Sequence, residues 1–396
     1  MKKIYMLSSA LFLVLTLNGQ RYLNEVFTQL DSIKDVQYGQ AIAWNNDTVK
    51  LYVDIFKPAN DSATNRPLII LAHGGSFIAG NRQDEFITDL CRRFARRGYV
   101  TASISYRLGV NQQNFLNISE EFIMAAIRGT QDFNAAVRFF KKSATQGNPY
   151  GIDTNRLVAG GYSAGSIAAL HSVYLRDTNV VTQQVRSLIK LLGGVEGSSG
   201  NSGFSSESHL VVNIAGAVLD TQIILQQYVR PIVSFHGTVD NTVKFGRGFV
   251  QVNGFNILQL DGSSLIDVRV KNLGSTSSLF AFQNVDHDLP YNTTRRNTIV
   301  TEMANFLFAW LNGTLGQKTF TDLRVAYYPN PAREMLNITL EKSAVIKIYT
   351  INGQLLKEIS CTEGDNAITV ADLPRGMVLV TIHDGVNTVT NKLLLQ

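Results

Sequence analysis

Residues 160–166 read GGYSAGS and follow the run RLVA at 156–159 with no polar spacer. An apolar strand that runs straight into glycines on both sides of one serine reads as a sharp strand-to-helix bend. Glycine at 161 and 165 lets the backbone turn and lets the next helix pack close against its own strand, so Ser163 is pushed out at the apex. Gly161, Tyr162, Ser163, Ala164 and Gly165 together satisfy G-x-S-x-G. Glycine and serine also build ordinary turns, so the rest of the chain has to decide.

On either side of this bend, from about residue 50 to 312, strand-like and helix-like patterns alternate. The runs LYVDIF (51–56), PLIILAH (67–73), VTASISY (100–106), RLVAGG (156–161), LVVNIAGAVLD (210–220), PIVSFHG (231–237) and SLFAFQNV (278–285) are rich in β-branched or aromatic residues. Between several of them lie helical stretches such as EFITDLCRRFARRG (85–98) and EEFIMAAIRGTQDFNAAVRFFKK (120–142). Near-continuous apolar strands alternating with helices indicate an α/β fold with a mainly parallel sheet covered on both faces. Reactive groups then belong at the carboxyl ends of strands. The glycine- and serine-rich segment GGVEGSSGNSGFSS (193–206) reads as a surface loop, with a lid over Ser163 as the alternative.

Past Gly313 the pattern changes. MLNITLE, VIKIYTI, NAITV and VLVTIHD alternate with period two, are separated by NG, EGDN and HDG turns, and have no helical stretch between them. They predict a small all-β sandwich over 326–396, joined through a linker at 313–325 to a catalytic domain at 20–312. At the other end, MKKIYMLSSALFLVLTLNG (1–19) places two lysines before an apolar run and reads as a removable export signal. No second run is long enough to span a bilayer.

Of 396 residues, 45% are hydrophobic and 17% charged, which excludes disorder for most of the chain. The formal charge of +5 includes Lys2 and Lys3 of the export segment and makes no case for nucleic acid. The run RRFARR (92–97) reads as the solvated face of a helix. Cys91 and Cys361 fall in different domains and are expected to be unpaired, and two cysteines build no cysteine metal site.

A serine hydroxyl needs a neutral imidazole to take its proton and a carboxylate to hold that imidazole. Among six histidines, His73 lies ahead of the serine in a turn, His171 is two turns down the helix that follows it, His209 precedes a strand, His236 ends one, and His383 is in the tail. His287, in NVDHDLP late in the large domain, remains. For the acid, FHGTVDNTV places Asp240 just past a strand, and Asp220 is the runner-up. Asp286 and Asp288, beside His287, are expected to point elsewhere, and no second ligand set accompanies them to make a metal site. The stretch LIILAHGGSFIAG offers backbone N–H groups for the oxyanion, together with Ala164 at the positive end of its helix. Phe77 and Tyr162 flank the serine and are candidates for the acyl pocket. The S-x-x-K match at Ser187–Lys190 lacks its partner motifs.

IILAHGGSFIAG followed by SYRLG, RLVAGGYSAG, SFHGTVDNTV and a late histidine resembles the carboxylesterase and hormone-sensitive-lipase-like branch of the α/β hydrolases, over roughly 37–312. The resemblance implies Ser163 as nucleophile, His287 as general base and acid, Asp240 as the orienting carboxylate, and the N–H groups of Gly75, Ser76 and Ala164 as oxyanion hole. Ser76 stands where that branch usually has a third glycine, so Gly74 is the substitute donor. The tail, with AYYPNP, INGQ, LPRG and TNKLLLQ in order, resembles the C-terminal sorting domain of the type IX secretion system and implies passage across an outer membrane with release or surface attachment. The expectation is a secreted, cofactor-free serine carboxylesterase acting on polysaccharide-linked, short-chain lipid or polyester esters. A peptidase of the same fold and a non-catalytic binding protein are the rival readings.

Overall fold

The computed structural model describes residues 21–252, 254–315, 326–340, 342–383 and 388–396. The export segment at 1–19 and most of the linker expected at 313–325 lie outside them. The chain divides into two compact units, one running to Leu315 and the other from Gly316.

In the larger unit the strands of the main sheet are β1 (Leu30–Ile42), β2 (Thr48–Pro58), β3 (Arg66–Ala72), β4 (Val100–Ile104), β5 (Ile152–Tyr162), β6 (Leu210–Ile214), β8 (Ile232–Gly237) and β11 (Ser277–Phe282). A small separate sheet holds β7 (Ala217–Val218), β9 (Arg247–Val252) and β10 (Phe255–Gly262). The main sheet runs β1-β2-β4-β3-β5-β6-β8-β11, antiparallel at β1, β2 and β4 and parallel from β4 onward.

β3 shows why the sheet is covered on both sides: every residue is buried, with Leu68, Ile70 and Ala72 in one core and Ile69 and Leu71 in the other. Alternation with period two sends successive apolar side chains to opposite faces, so each face needs its own helical layer. The helices are α1 (Glu85–Arg96), α2 (Ile118–Thr145), α3 (Ala164–Tyr174), α4 (Gln183–Leu191), α5 (Ser263–Asn272) and α6 (Thr293–Leu311). Phe86, Leu90 and Phe94 of α1 and Ile299, Met303 and Leu307 of α6 fill one face. Phe133 of α2, Ile167 of α3, Val185 of α4 and Ile266 of α5 fill the other. α1 starts on Asp84, whose carboxylate accepts the Ile87 N–H, and α6 on Asn292, which accepts from Arg295.

β9 and β10 were not among the strands read from the sequence, and two further regions depart from that reading. β1 precedes the region where strands were expected, because it is a half-exposed edge strand with only Tyr38 and Ala41 buried and thus no apolar run. The run 210–220 is not one strand: Ala215 takes φ 51°, and a Cβ on Gly216 would meet the Ser166 Oγ at 2.5 Å, so the chain turns there and β7 joins the other sheet.

The smaller unit is all β. β12 (Ala326–Tyr328), β13 (Met335–Leu340) and β16 (Gly364–Thr369) form one sheet, and β15 (Leu355–Cys361), β14 (Ala344–Thr350), β17 (Gly376–His383) and β18 (Thr388–Leu395) the other. Leu336 and Ile338 of the first sheet share one core with Ile346, Val380 and Leu393 of the second, so the sheets pack as a sandwich. Cys91 and Cys361 are free and buried, and burial pushes the Cys91 thiol up to about 12, which makes it inert.

Candidate active site

Ser163 sits between the end of β5 and the start of α3 with φ 54° and ψ −122°, a left-handed backbone that a serine adopts only when its surroundings hold it there. Its N–H donates to the Ile214 carbonyl of β6 (2.9 Å), which ties the bend to the neighbouring strand. The two glycines are required by close approach. A Cβ on Gly161 would lie 2.5 Å from the Gly165 carbonyl carbon, and one on Gly165 would collide with the Ala72 carbonyl of β3. The bend therefore presses α3 onto the sheet and leaves the serine side chain at the carboxyl edge.

His287 arrives from the loop after β11 and Asp240 from the loop after β8. The His287 Nε2 is 2.8 Å from the Ser163 Oγ, and its Nδ1 is 2.7 Å from the Asp240 Oδ2. A carboxylate only accepts, so Nδ1 carries the proton, and Nε2 is left as the acceptor for the serine hydroxyl. Asp240 is 2% exposed. Burial alone would raise its carboxyl, but hydrogen bonds from His236 and His287 outweigh that and hold it well below the usual carboxylate range. Its other oxygen accepts the N–H groups of Thr242 (2.9 Å) and Val243 (2.8 Å).

His236, which the sequence reading set aside, stands beside Asp240. Its Nε2 lies 2.9 Å from the Val243 carbonyl and 3.2 Å from the Asp240 Oδ2, so that nitrogen is a donor shared between two acceptors. Its Nδ1 then accepts from the Ser263 hydroxyl (2.6 Å), which accepts in turn from the Asn213 amide (2.9 Å). Asn213, Ser263 and His236 are all fully buried, and this fixed chain supports Asp240 from behind. Asp286 also turns out to be engaged: its Oδ1 accepts the N–H of Asn241 and of His287, both at 2.7 Å, clamping the acid's loop to the histidine's.

Asp220, the runner-up acid, is elsewhere. It caps the short helical turn after β7 through the Gln222 N–H and pairs with Arg247 at 3.1 Å. On the oxyanion side, Gly75, Ser76 and Phe77 take φ of 115°, 54° and 61°, and the Gly75 carbonyl accepts from Ile78 and Ala79. Ser76, Phe77, Ser163 and Ala164 line one cavity. Among the described residues, no acceptor is found for the N–H of Ser76 or of Ala164. Gly74 lies behind them, where a Cβ would come within 3.3 Å of the Ser163 Cβ.

Known proteins resemble parts of this chain. Residues 53–193 match BD-FAE, an α/β-hydrolase esterase family, and residues 326–396 match the secretion system C-terminal sorting domain. The larger unit has the α/β-hydrolase fold, and the all-β tail is a type IX sorting domain by its match. Gut esterase 1 of Caenorhabditis elegans is 28% identical over 131 residues, 32% of this chain, and the match spans only 22% of that relative's length. Among solved structures, Thermogutta terrifontis esterase 2 phosphorylated by paraoxon is 21% identical with a TM-score of 0.50, covering 72% of this chain and 95% of that one. The same esterase phosphoramylated by tabun is 20% identical at a TM-score of 0.50, covering 72% and 96%. At these identities the likeness carries the fold.

One expectation for the larger unit, and one alternative reading, need correction. Tyr162 is no wall of the cavity: its ring stacks on the His287 imidazole at 5.3 Å and its hydroxyl donates to the His287 carbonyl at 2.7 Å, so it braces the histidine. Phe77 does line the cavity, next to Gly129 of α2, where a Cβ would meet the ring at 2.9 Å. Nor does the segment 193–206 form a lid. Ser199 is fully buried, its hydroxyl donating to Asp132 (2.6 Å) and its carbonyl accepting from Gln40 of β1 (2.9 Å). The Gln131 amide holds the Leu192 and Gly194 carbonyls as well. The wall facing Ser163 comes instead from the β9–β10 hairpin, through Val250, Val252, Ile257 and Leu260. The sequence signal for it is VQVNGFNILQL (250–260), two β-prone runs around Asn-Gly.

Proposed function

We propose that this α/β hydrolase is a secreted serine carboxylesterase in which Ser163, His287 and Asp240 form the catalytic triad. The observation that carries the reading is the unbroken relay of 2.8 Å and 2.7 Å from a serine at a left-handed bend, through one imidazole, to a buried carboxylate. The Ser163 Oγ attacks the ester carbonyl carbon while its proton passes to the His287 Nε2. The carbonyl oxygen becomes an oxyanion facing the N–H groups of Ser76 and Ala164, with Gly75 at the same turn, each donor being worth roughly a hundred- to thousandfold in rate. Collapse breaks the bond to the alkoxy oxygen, which leaves as the alcohol with the proton from Nε2. Water then attacks the acyl-serine by the same route and releases the acid. Asp240 keeps the Nδ1 proton in place and offsets the imidazolium that forms.

The sorting domain supports handling by type IX secretion machinery and delivery to the outer surface, with residues 1–19 as the export signal. Among the described residues no helix is long and apolar enough to cross a membrane.

The full chain is expected to hydrolyse p-nitrophenyl butyrate and to lose that activity to paraoxon in a one-to-one reaction, with the added phosphoryl mass on the peptide containing Ser163. Mass on another residue, or continued turnover after full labelling, removes Ser163 from the mechanism.

His236 is proposed as a positioning residue for Asp240. Losing a hydrogen bond to a charged group costs about 1.5–3 kcal/mol, so His236→Ala is expected to lower kcat roughly tenfold to a hundredfold. His236→Gln, which keeps a donor toward Asp240, should recover part of that loss. Equal defects in both variants would mean that the ring serves packing alone.

A further inference from the structure

The cavity that opens on Ser163 continues inward between α2, α3 and the β9–β10 hairpin. Along α3 its wall is Ser163, Ile167, His171 and Leu175, spaced by four and hence on one face of the helix. At a rise of about 1.5 Å per residue, these positions extend over roughly 16–18 Å. Phe122, Ala126 and Thr130 of α2 repeat the spacing opposite, and Ile189 and Val195 stand toward the inner end.

The interior has little to offer a polar ligand. The Thr130 hydroxyl donates to the Ala126 carbonyl of its own helix (2.9 Å). The His171 Nδ1–H donates to the Ile167 carbonyl (2.8 Å), and its Nε2 accepts the Leu219 N–H (3.1 Å). Burial pushes that imidazole down to about 4, so it is neutral at physiological pH. A sugar ring or a carboxylate placed here would lose its water and find no partner, whereas a methylene chain loses nothing polar.

The side of the serine on which the cavity lies decides which half of an ester enters it. His287 has to face the departing alcohol to protonate it, and His287 is not among the walls. Ser76 and Ala164, on the oxyanion side, are. The alcohol therefore departs on the His287 side, and the acyl group points inward.

We propose that this cavity is the acyl site for a linear saturated chain, on the order of ten carbons over the roughly 16 Å of lining helix, which makes the natural substrate a lipid-like ester. This rests on the serine-esterase reading above; the covalent step is the acyl transfer to Ser163 already described, with the chain carried on the carbonyl carbon. Such a site discriminates by length: each added methylene is worth about fourfold in kcat/KM, the equivalent of about 0.8 kcal/mol, until the cavity is full.

The test uses the full chain with p-nitrophenyl esters of two, four, eight and twelve carbons below their micellar concentrations, together with ethyl decanoate and decyl acetate. kcat/KM is expected to rise more than a hundredfold from acetate to octanoate, and ethyl decanoate to exceed decyl acetate. Leu175→Trp, at the inner end, should move the optimum to shorter chains. Wild-type inhibition gives a second reading that does not depend on the variant's folding: free decanoic acid should compete at least tenfold better than butyric acid. Hydrolysis that peaks at acetate, or decyl acetate turned over as well as ethyl decanoate, overturns the acyl site while the esterase reading stands. Failure to hydrolyse any of these esters overturns both.

Discussion

If Ser163 is the nucleophile as proposed, Ser163→Ala is expected to lower kcat for p-nitrophenyl butyrate by on the order of 10⁶-fold, as loss of the nucleophile does in a serine protease. The fold should remain. The hydroxyl is replaced by hydrogen on the same Cβ, the residue is 6% exposed, and the N–H that anchors the bend to Ile214 is untouched. Thermal unfolding should therefore stay within about 2 °C of the native chain, in line with the small effect expected when no core contact or backbone bond is lost. Two readouts on one preparation, ester turnover and the melting curve, check this. A variant that melts normally and still turns over ester at a tenth of the native rate would place the chemistry on another residue.

Asp240→Asn is expected to cost about 10⁴-fold in kcat, because the tautomer inverts. An asparagine amide facing the His287 Nδ1 would donate to it, the ring proton would move to Nε2, and the imidazole could no longer accept from Ser163. The same amide would also point a donor at the His236 Nε2–H, leaving buried polar groups mismatched at a cost of about 1–3 kcal/mol in stability. Asp220→Asn is the control. That carboxylate is 40% exposed and pairs with Arg247 away from the histidine, so turnover should change by less than about twofold. A large loss in Asp220→Asn with little in Asp240→Asn would exchange the two acids.

The bend at GGYSAGS was readable because its constraint is local: Gly161 and Gly165 are four residues apart, and the collisions that exclude a Cβ involve the bend itself and the strand beside it. The alternation of strands and helices was readable for a similar reason, since two-sided burial leaves continuous apolar runs such as PLIILA (67–72). The edge strand β1 left no such run. His236 was read only as the end of a strand, because its meaning depends on Ser263, 27 residues later, and on which way the Asp240 loop folds back. Tyr162 was placed beside the serine by sequence adjacency, yet in β5 neighbouring side chains leave on opposite faces, and its own goes to His287, 125 residues away.

The sequence by itself determined the α/β architecture, the serine at the apex of a glycine-flanked bend and the all-β tail, since each follows from short-range sterics or from the period of apolar residues. Only the tertiary structure decided which carboxylate meets His287, that a second histidine holds that carboxylate, and that the β9–β10 hairpin walls the serine's cavity, with Val195 as the residue of 193–206 that reaches it. Those outcomes depend on how loops from separate strands converge at one sheet edge. That convergence is set by the summed packing of two cores and by a few long-range hydrogen bonds, for which no short stretch of chain carries a periodic or steric signature.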